Sequence, residues 1–323
     1  MELPVSESTL ETAVDSECMR IRRAHFPDRI QFHAPGLKGY ATSEYSAHDV
    51  AEFVSISVTG SACALKCEHC AMAVLHGMKD LSHFDGSLFE LASRLAERGA
   101  RGLLISGGSD SRGRVPLIEH VPDMIRARRE LGLVVRVHPG LPDEATCAGL
   151  GQVGVDGAMV DIIGHADTIK DVYHLDAKPE DYDDILERLD RHGVPTVPHI
   201  ILGLHFGKML GEERALEIVS RHPPKLLVLV ILMPLGSTPM AAVEPPPIEE
   251  IEAFFARARR ALPSTPVMLG CARPLGEMKA AIDRAAVEAG LNGIAYPADG
   301  IVAYARERGL EPSFNNACCG VSW

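Results

Sequence analysis

The stretch SACALKCEHCAMAV, residues 61–74, decides how the rest of the chain is interpreted. It places three of the eight cysteines close together, as Cys63, Cys67 and Cys70, with the spacing C-x3-C-x2-C. It directly follows FVSISVTG (53–60), an apolar and β-branched run that predicts a buried strand. Clustered cysteines in a cytosolic chain are more often metal ligands or catalytic groups than disulfide partners. The stretch therefore predicts a metal centre on the loop that follows a strand.

Seven further apolar runs follow along the chain, and amphipathic helix patterns lie between them. The pattern SLFELASRLAERG opens with a capping box, because Ser87 is followed by Glu90 three residues later. Strands that are apolar on both faces and alternate with helices indicate a parallel sheet covered by helices. We therefore expect a (βα)8 TIM-barrel-like fold, with a partial barrel or an open doubly wound sheet as the alternatives. The eight predicted strands span residues 53–60, 102–108, 133–138, 157–162, 197–202, 226–233, 267–271 and 293–296.

The chain divides into three predicted segments. Residues 1–50 form an N-terminal extension, which is expected to be an irregular lead-in because proline and glycine interrupt it without a lasting period. Residues 51–310 form the barrel. Residues 311–323 form a polar tail with two adjacent cysteines, which is expected to fold back and cap the barrel mouth.

The composition restricts the class of partner. The formal net charge is −12, from 32 basic and 44 acidic residues, and this sign disfavours nucleic acid and anionic lipid. The longest apolar run, residues 226–233, is too short to span a bilayer, and the amino terminus has no apolar signal segment. We therefore expect a cytoplasmic protein without a nucleic-acid or membrane partner.

Three interpretations of the cysteine triad compete. A structural zinc ion needs four protein ligands, and the nearest candidate for the fourth is His69, which lies between two of the cysteines. A [4Fe–4S] cluster has four irons, so three cysteines leave one iron open to another ligand. Three ordinary buried cysteines are the remaining interpretation, which the tight spacing disfavours.

The spacing C-x3-C-x2-C after the first strand of a predicted βα barrel resembles the radical S-adenosylmethionine (SAM) superfamily. The resemblance implies that the triad holds a [4Fe–4S] cluster whose open iron chelates SAM, and that cleavage of SAM gives a 5′-deoxyadenosyl radical. His69 stands where the family commonly has an aromatic residue near the adenine. Ser106, Gly107 and Gly108 resemble the family's GGE element, which binds the SAM amino group, with Ser109 in place of the glutamate. A plain strand-to-helix turn is the alternative for this element.

Polar residues end three of the predicted strands, and they are candidates for binding SAM or substrate. They are His138, Asp161 and His199. A polar side chain buried in an apolar strand needs a hydrogen-bonding partner, so each is equally compatible with a satisfied core residue. The family resemblance favours Asp161 as a contact to the ribose.

A second set of cysteines lies towards the carboxyl terminus. Cys271 ends the seventh predicted strand, and Cys318 and Cys319 are adjacent in the tail. Together they are predicted to hold an auxiliary [4Fe–4S] cluster that would supply sulfur to a carbon radical. A vicinal disulfide, which is strained, and a frayed terminus are the alternatives. Cys18 and Cys147 are expected to be structural, although Cys18 would be a fourth ligand if the N-terminal segment lay nearby.

Several stretches together resemble the biotin-synthase-related radical SAM proteins, a group that includes the two-protein lipoyl synthases first recognised in archaea. Beyond the triad they include VDIIGHADTIKDVYHL, VPHIILGLHFGK, LVLVILMP, LGCARPLG and the ACC tail. The resemblance implies one component of a lipoyl synthase, which converts octanoyl-lysine on a lipoyl carrier protein to lipoyl-lysine. The implied partners are the octanoylated carrier protein, a companion radical SAM protein and an electron donor such as ferredoxin. The alternatives are a radical SAM enzyme acting on a small molecule, by sulfur insertion, methylation or rearrangement, and a non-enzymatic electron carrier or zinc scaffold.

Overall fold

The chain is described by a computed structural model that covers residues 8–35, 40–46 and 52–321, with side chains from residue 17 onward. Parts of the predicted N-terminal extension and the last two residues of the predicted tail lie outside the described residues. Within the described ranges, no helix is both long enough and apolar enough to cross a membrane.

Strands and helices alternate through most of the described chain. The eleven strands of the described residues are β1 (Arg29–His33), β2 (Phe53–Ser57), β3 (Lys79–Asp80), β4 (Gly102–Ser106), β5 (Val134–Val137), β6 (Gly157–Asp161), β7 (Thr196–Leu202), β8 (Leu227–Ile231), β9 (Val267–Leu269), β10 (Gly293–Ala295) and β11 (Glu311–Asn315). The ten α-helices of the same residues are α1 (Ser8–His25), α2 (Leu88–Glu97), α3 (Val121–Leu131), α4 (Glu144–Val153), α5 (Ala166–Tyr173), α6 (Pro179–Arg191), α7 (Glu212–Arg221), α8 (Ile248–Ala261), α9 (Glu277–Glu288) and α10 (Ile301–Glu307). Two short 3₁₀ helices lie at Ala73–Gly77 and Ile118–His120.

All eleven strands belong to one parallel sheet, in the order β11-β1-β10-β9-β8-β7-β6-β5-β4-β2-β3. Eight of them, β2 and β4 to β10, are the strands predicted from the sequence. No strand pairing between described residues joins the two edge strands, so the TIM-barrel-like fold takes its partial-barrel form. Because the strands are parallel, their carboxyl ends meet at one edge, and the loops at that edge carry the candidate functional residues.

The prediction of an irregular lead-in is wrong where the structure describes it, because that segment contains α1 and β1. β1 lies between β10 and β11 in the sheet, with Gln31 opposite Gly293 and Arg29 opposite Glu311. The segment RIQFH alternates over only five residues, and its partner strands come from the other end of the chain. An alternation this short is a weak signal for a strand until its partners are known.

The helix boundaries follow local sequence signals. In α2 the Ser87 hydroxyl accepts a hydrogen bond from the Glu90 amide at 3.2 Å, and the Glu90 carboxylate accepts one from the Ser87 amide at 2.8 Å, which confirms the predicted capping box. α3 and α4 end at Gly132 and Gly154, which adopt the left-handed conformation that glycine allows. The apolar face of α2 packs on the sheet through Leu88, Leu91, Ala92 and Leu95.

The inner face of the sheet surrounds a second apolar core, and the C-terminal tail forms part of it. After β11 the chain turns inward, and Ala317 and Val321 pack on Phe53 of β2. The tail was predicted to cap the barrel mouth; in the structure it lies within the barrel, near the amino-terminal ends of β2 and β5. Burial there removes its apolar side chains from water. The inner core comprises Ala34, Met159, Val197, Leu226, Val228, Val230, Met268, Ala295, Tyr296 and Cys319.

Candidate active site

The cysteine loop follows β2 at the carboxyl edge of the sheet. Backbone hydrogen bonds hold it on both sides, from the Ala64 amide to the Ser109 carbonyl at 2.8 Å and from the Glu68 amide to the Val172 carbonyl at 2.9 Å. Lys66, between two of the cysteines, has a φ of 49°, which tightens the turn of the loop. The loop is therefore fixed between the end of β4 and α5.

The three thiols of the triad have different surroundings. Cys67 is buried, and its hydrogen bond with Cys70, together with burial, raises its pKa. The same bond lowers the pKa of the Cys70 thiol to about 7. The Ser109 amide donates a hydrogen bond to the Cys63 sulfur at 3.4 Å. A lowered thiol pKa and a backbone donor both favour the thiolate, which is the form of cysteine that binds metals.

Gly108 lets the cysteine loop pack directly on the end of β4. A Cβ atom at this position would lie 1.9 Å from the Ala62 carbonyl oxygen and 2.6 Å from the Cβ of Cys63. Since neither contact is sterically possible, the loop can approach only a glycine. At Gly107 the conflict is milder, with the Thr59 hydroxyl 2.9 Å from an added Cβ. The fold thus accounts for both glycines, and their contact to SAM stays a prediction.

The structure brings together the three polar strand ends that the sequence singled out. His138 follows β5, and Asp161, at the end of β6, is opposite His199 of β7. The Nε2 atom of His138 is 3.5 Å from one Asp161 carboxylate oxygen, and the His138 and His199 rings are 6.3 Å apart. The Tyr173 hydroxyl donates to the other Asp161 oxygen at 3.3 Å. Ser106 joins this centre through its hydroxyl, which donates to the His138 carbonyl at 3.0 Å.

Burial and mutual attraction set the charges of this centre. Burial disfavours charge on both His138 and Asp161, but their attraction outweighs it, so the pKa of His138 is raised and that of Asp161 is lowered. His199 has a neutral ring, because burial lowers its pKa to about 4. The centre is therefore a His138–Asp161 ion pair beside a neutral histidine.

His69 contributes a buried hydrogen-bonding atom that lacks a protein partner. Its ring centroid is 5.1 Å from that of Tyr173, and burial lowers its pKa, so the ring is neutral. Its Nδ1 atom is buried and makes no hydrogen bond to any described residue. Buried polar atoms in folded proteins are almost always paired, so this atom marks a place where a ligand completes the site.

The second cysteine set is divided between the tail and the loop after β9. Cys319 is buried and Cys318 is half-buried in the tail, whereas Cys271 is exposed after β9. A hydrogen bond with Cys319 lowers the pKa of Cys318 to about 7, while that bond, burial and the nearby charges of Cys318 and Cys271 raise the pKa of Cys319. All eight cysteines belong to the described residues, and none is in a disulfide. Cys18 faces the Ala256 carbonyl of α8 at 4.0 Å, in the outer helical layer.

The His138–Asp161 pair connects the two cysteine sets. The charge of Asp161 acts on the Cys70 thiol, where it partly opposes the lowering of the pKa. The charge of Cys318 acts on the His138 ring and contributes to its raised pKa. Cys70 of the first set and Cys318 of the second are therefore each coupled electrostatically to this ion pair.

The donor set of the triad fits an iron–sulfur cluster better than a zinc ion. Among the described residues, no three His, Cys, Asp or Glu side chains converge closely enough to hold a single metal ion. Structural zinc needs four ligands around one ion, whereas a [4Fe–4S] cube binds each thiolate through a different iron. Three thiols on a fixed loop, an amide donor to Cys63 and the unpaired Nδ1 atom of His69 suit such a cube with a further ligand beside it.

A cavity of about 520 Å³ opens beside the triad on the outer side of the cysteine loop. Cys63 and Gly108 line it, together with Arg114, which pairs with Asp110 at 2.8 Å and with Asp143 at 2.9 Å. The cavity therefore reaches the triad at Cys63.

Three side chains of this region were not predicted to be functional: Tyr173, Arg136 and His33. Arg136 had a signal in the sequence, since it is a lone charge within the apolar strand LVVRVH. Tyr173 and His33 had none, because their positions near Asp161 and the tail depend on how helices and strands pack.

No protein-family model matches the chain. In sequence it is similar to the biotin synthase of Chlorobaculum parvum, with 23% identity over 235 residues that cover 65% of this chain and 65% of that one. In structure it is similar to methylornithine synthase (PylB), with a TM-score of 0.59 and 14% identity over 96% of this chain and 91% of that one. It is also similar to HydG, a maturase of the [FeFe]-hydrogenase, with a TM-score of 0.63 and 16% identity over 96% of this chain and 70% of that one.

The partial TIM-like barrel is therefore the fold that this chain shares with these two structures, and its cysteine triad lies on the loop that follows β2. The sequence match to a biotin synthase is in line with the resemblance to biotin-synthase-related radical SAM proteins that the motifs of the chain suggested. The match spans 65% of the length of its biotin synthase relative.

Proposed function

We propose that this chain is a radical SAM enzyme that inserts sulfur at an unactivated carbon. The observation that carries the proposal is the cysteine triad on the fixed loop after β2, together with a second pair of thiols, Cys318 and Cys319, in the tail inside the barrel. When bound, a [4Fe–4S] cluster and SAM would supply the radical that removes hydrogen from carbon, and an auxiliary cluster would supply sulfur. Substrate held at the His138–Asp161 centre would then be within reach of both.

The residues of the chain would bind and orient these groups. Cys63, Cys67 and Cys70 would hold the first cluster on a loop that is fixed from both sides. The unpaired Nδ1 atom of His69 would form a hydrogen bond to the SAM molecule beside it. The Asp161 carboxylate has His138 and Tyr173 as partners and retains lone pairs for a ribose hydroxyl, since two oxygens offer about four acceptor sites.

Cys271, Cys318 and Cys319 would hold the auxiliary cluster. The described position of Cys18 in the outer helical layer does not support it as the fourth ligand. A group other than cysteine, from the protein or the solvent, would then complete this cluster.

We further propose that the substrate is octanoyl-lysine on a lipoyl carrier protein, and that the chain acts as one of two lipoyl synthase proteins. Apolar side chains on the inner face near the centre, among them Ile201 and Val230, suit an alkyl chain. The proposal requires the octanoylated carrier protein, a companion radical SAM protein and a ferredoxin-like electron donor as partners.

A small-molecule substrate is the second candidate. The charged pair His138–Asp161 and the neutral His199 line the same centre, and such groups suit a compact polar substrate. The radical chemistry would be the same, with sulfur insertion, methylation or rearrangement as its outcome.

Anaerobic reconstitution of the full chain tests the proposal. We expect about eight irons per chain for two [4Fe–4S] clusters. Replacement of Cys67 by serine is expected to abolish SAM cleavage, and replacement of Cys319 by serine is expected to remove about four irons while SAM cleavage persists. Cys147→Ala is the matched control, because Cys147 is buried in α4 away from both sets.

The substrate is tested by adding SAM, a reductant and an octanoyl-lysine peptide, with and without the companion protein. Thiolated peptide supports the lipoyl synthase assignment. Formation of 5′-deoxyadenosine without thiolated peptide favours the small-molecule candidate. A protein with about four irons, whose activity survives loss of Cys271, Cys318 and Cys319, would rule out sulfur donation from a second cluster.

A further inference from the structure

The C-terminal tail is attached to the inside of the barrel by a buried arginine. Arg136 lies in β5, and its side chain is 1% exposed. Its guanidinium donates to the Cys319 carbonyl at 2.5 Å and to the Gly320 carbonyl at 2.8 Å. A planar guanidinium holds two acceptors in a defined geometry, so these bonds fix the orientation of the backbone that carries the cysteine pair.

His33 holds the same segment from the other side. Its Nδ1 atom is 3.2 Å from the Ala317 carbonyl, and its Nε2 atom accepts from the Gly320 amide at 3.4 Å. This pattern requires a neutral ring with the proton on Nδ1. Asn315 adds two bonds, since its side chain donates to the Val321 carbonyl at 2.7 Å and accepts from the Ala317 amide at 2.8 Å.

Within the part of the chain that the structure describes, Arg136 forms no ion pair with a carboxylate. Among the described residues, no carboxylate oxygen lies within 4 Å of its guanidinium, and its buried Nε atom has no hydrogen-bonding partner. A buried cation without a counter-ion is costly, so an anion close to it would stabilise the folded tail.

We propose that Arg136 and His33 are positioning residues, which clasp the tail segment 316–321 inside the barrel and fix the backbone that carries Cys318 and Cys319. The guanidinium holds the backbone of the cysteine pair through the Cys319 and Gly320 carbonyls. The use of this site as a cluster ligand rests on the proposed function, whereas the clasp itself rests on the contacts of Arg136 and His33.

The clasp is tested on the full chain without any cluster. Alkylation of individual cysteines by iodoacetamide is followed by mass spectrometry, and hydrogen exchange is measured for the tail peptide. Arg136→Met is expected to raise the alkylation rate of Cys319 at least about tenfold, because two hydrogen bonds from a charged donor are lost. Cys147 in α4 is expected to stay protected. Arg136→Lys, which keeps the charge without the two-pronged geometry, is expected to restore part of the protection.

Arg259→Met is the matched control. Arg259 is also fully buried, has an unpaired Nε atom and binds the Leu262 and Thr265 carbonyls at 3.2 Å, but it lies in α8 and does not contact the tail. The alkylation rate of Cys319 in this variant is expected to stay within about twofold of wild type. A general loss of stability would be recognised because Cys147 would then react faster as well.

An unchanged Cys319 rate and unchanged tail exchange in Arg136→Met would overturn the clasp. If Arg136→Met unfolds, Cys147 will react as well, and the clasp is then tested with Arg136→Lys and His33→Gln instead. Faster reaction at Cys319 with Cys147 protected supports the clasp, and wild-type protection at both cysteines in both variants overturns it. The clasp and the proposed function can fail separately. If the tail is released in these variants but the wild-type chain binds only about four irons, the clasp is supported and sulfur donation from a second cluster is rejected.

Discussion

Replacement of Gly108 by alanine is expected to damage the cysteine loop without touching a cysteine. The added Cβ would lie 1.9 Å from the Ala62 carbonyl oxygen. Ordinary contacts begin near 3.4 Å, so that carbonyl has to move by roughly 1.5 Å, the difference between these two distances. Cys63 is the next residue and would move with it. Displacement of one thiol on this scale is large compared with the few tenths of an ångström that metal–ligand distances tolerate.

Two other glycines provide a graded series. Gly107→Ala meets the Thr59 hydroxyl at 2.9 Å, and Gly77→Ala, just beyond the triad, has no atom within 4 Å. Overpacking typically costs about 1 to 3 kcal/mol, so we expect the loss of unfolding free energy to be largest for Gly108→Ala and smallest for Gly77→Ala. Iron bound to the triad after anaerobic reconstitution should decrease in the same order.

The assay is iron content and urea unfolding for the three variants, with the Cys63→Ser protein as the reference for a lost ligand. Gly108→Ala is expected to resemble Cys63→Ser in iron content while Gly77→Ala resembles wild type. If Gly108→Ala bound as much iron as wild type and were equally stable, the argument that the cysteine loop leaves no space for a side chain at residue 108 would be wrong.

Two further predictions concern buried polar groups. Burial lowers the pKa of His33 to about 4 from an ordinary value of 6.5. As the pH falls, His33 therefore takes up a proton in the unfolded chain before it does so in the folded one. The free energy of unfolding should decrease by about 3 kcal/mol between pH 6.5 and pH 4. His33→Gln should flatten this dependence in urea unfolding measured across that range. Arg273 and Asp283 form a fully buried ion pair, in which the arginine Nε atom donates to the carboxylate at 2.6 Å. Arg273 also donates to the carbonyl of Gly270, the residue before Cys271, at 2.8 Å. Asp283→Asn should therefore cost about 3 to 5 kcal/mol of unfolding free energy, because it leaves the arginine charge buried and unpaired.

Each of these has its own control. His199 titrates over the same pH range, so only the difference between wild type and His33→Gln is informative, and an identical slope in both proteins would contradict the His33 argument. Glu130→Gln removes an exposed partner of Arg126 on α3 and should leave the unfolding free energy nearly unchanged. If Glu130→Gln and Asp283→Asn lowered the unfolding free energy equally, the argument that burial makes the Arg273–Asp283 pair costly to break would be wrong.

The parts of the fold that depend on near neighbours could be predicted. The capping box of Ser87 and Glu90 involves residues three apart, and the continuous apolar run of β8 reflects its burial on both faces. β1 and β11 were missed because they are short, partly exposed segments that become strands only by pairing with each other and with β10. The choice between a closed and a partial barrel depends on the same distant pairings.

The sequence by itself determined the eight inner strands, the helices between them and the three thiols of the first loop, since periodicity, capping and spacing are properties of adjacent residues. Only the tertiary structure decided that Gly108 meets Ala62, that His138 pairs with Asp161, and that the tail enters the barrel. These contacts join residues far apart in the chain, and which of them form is set by the order in which the strands pair in the sheet.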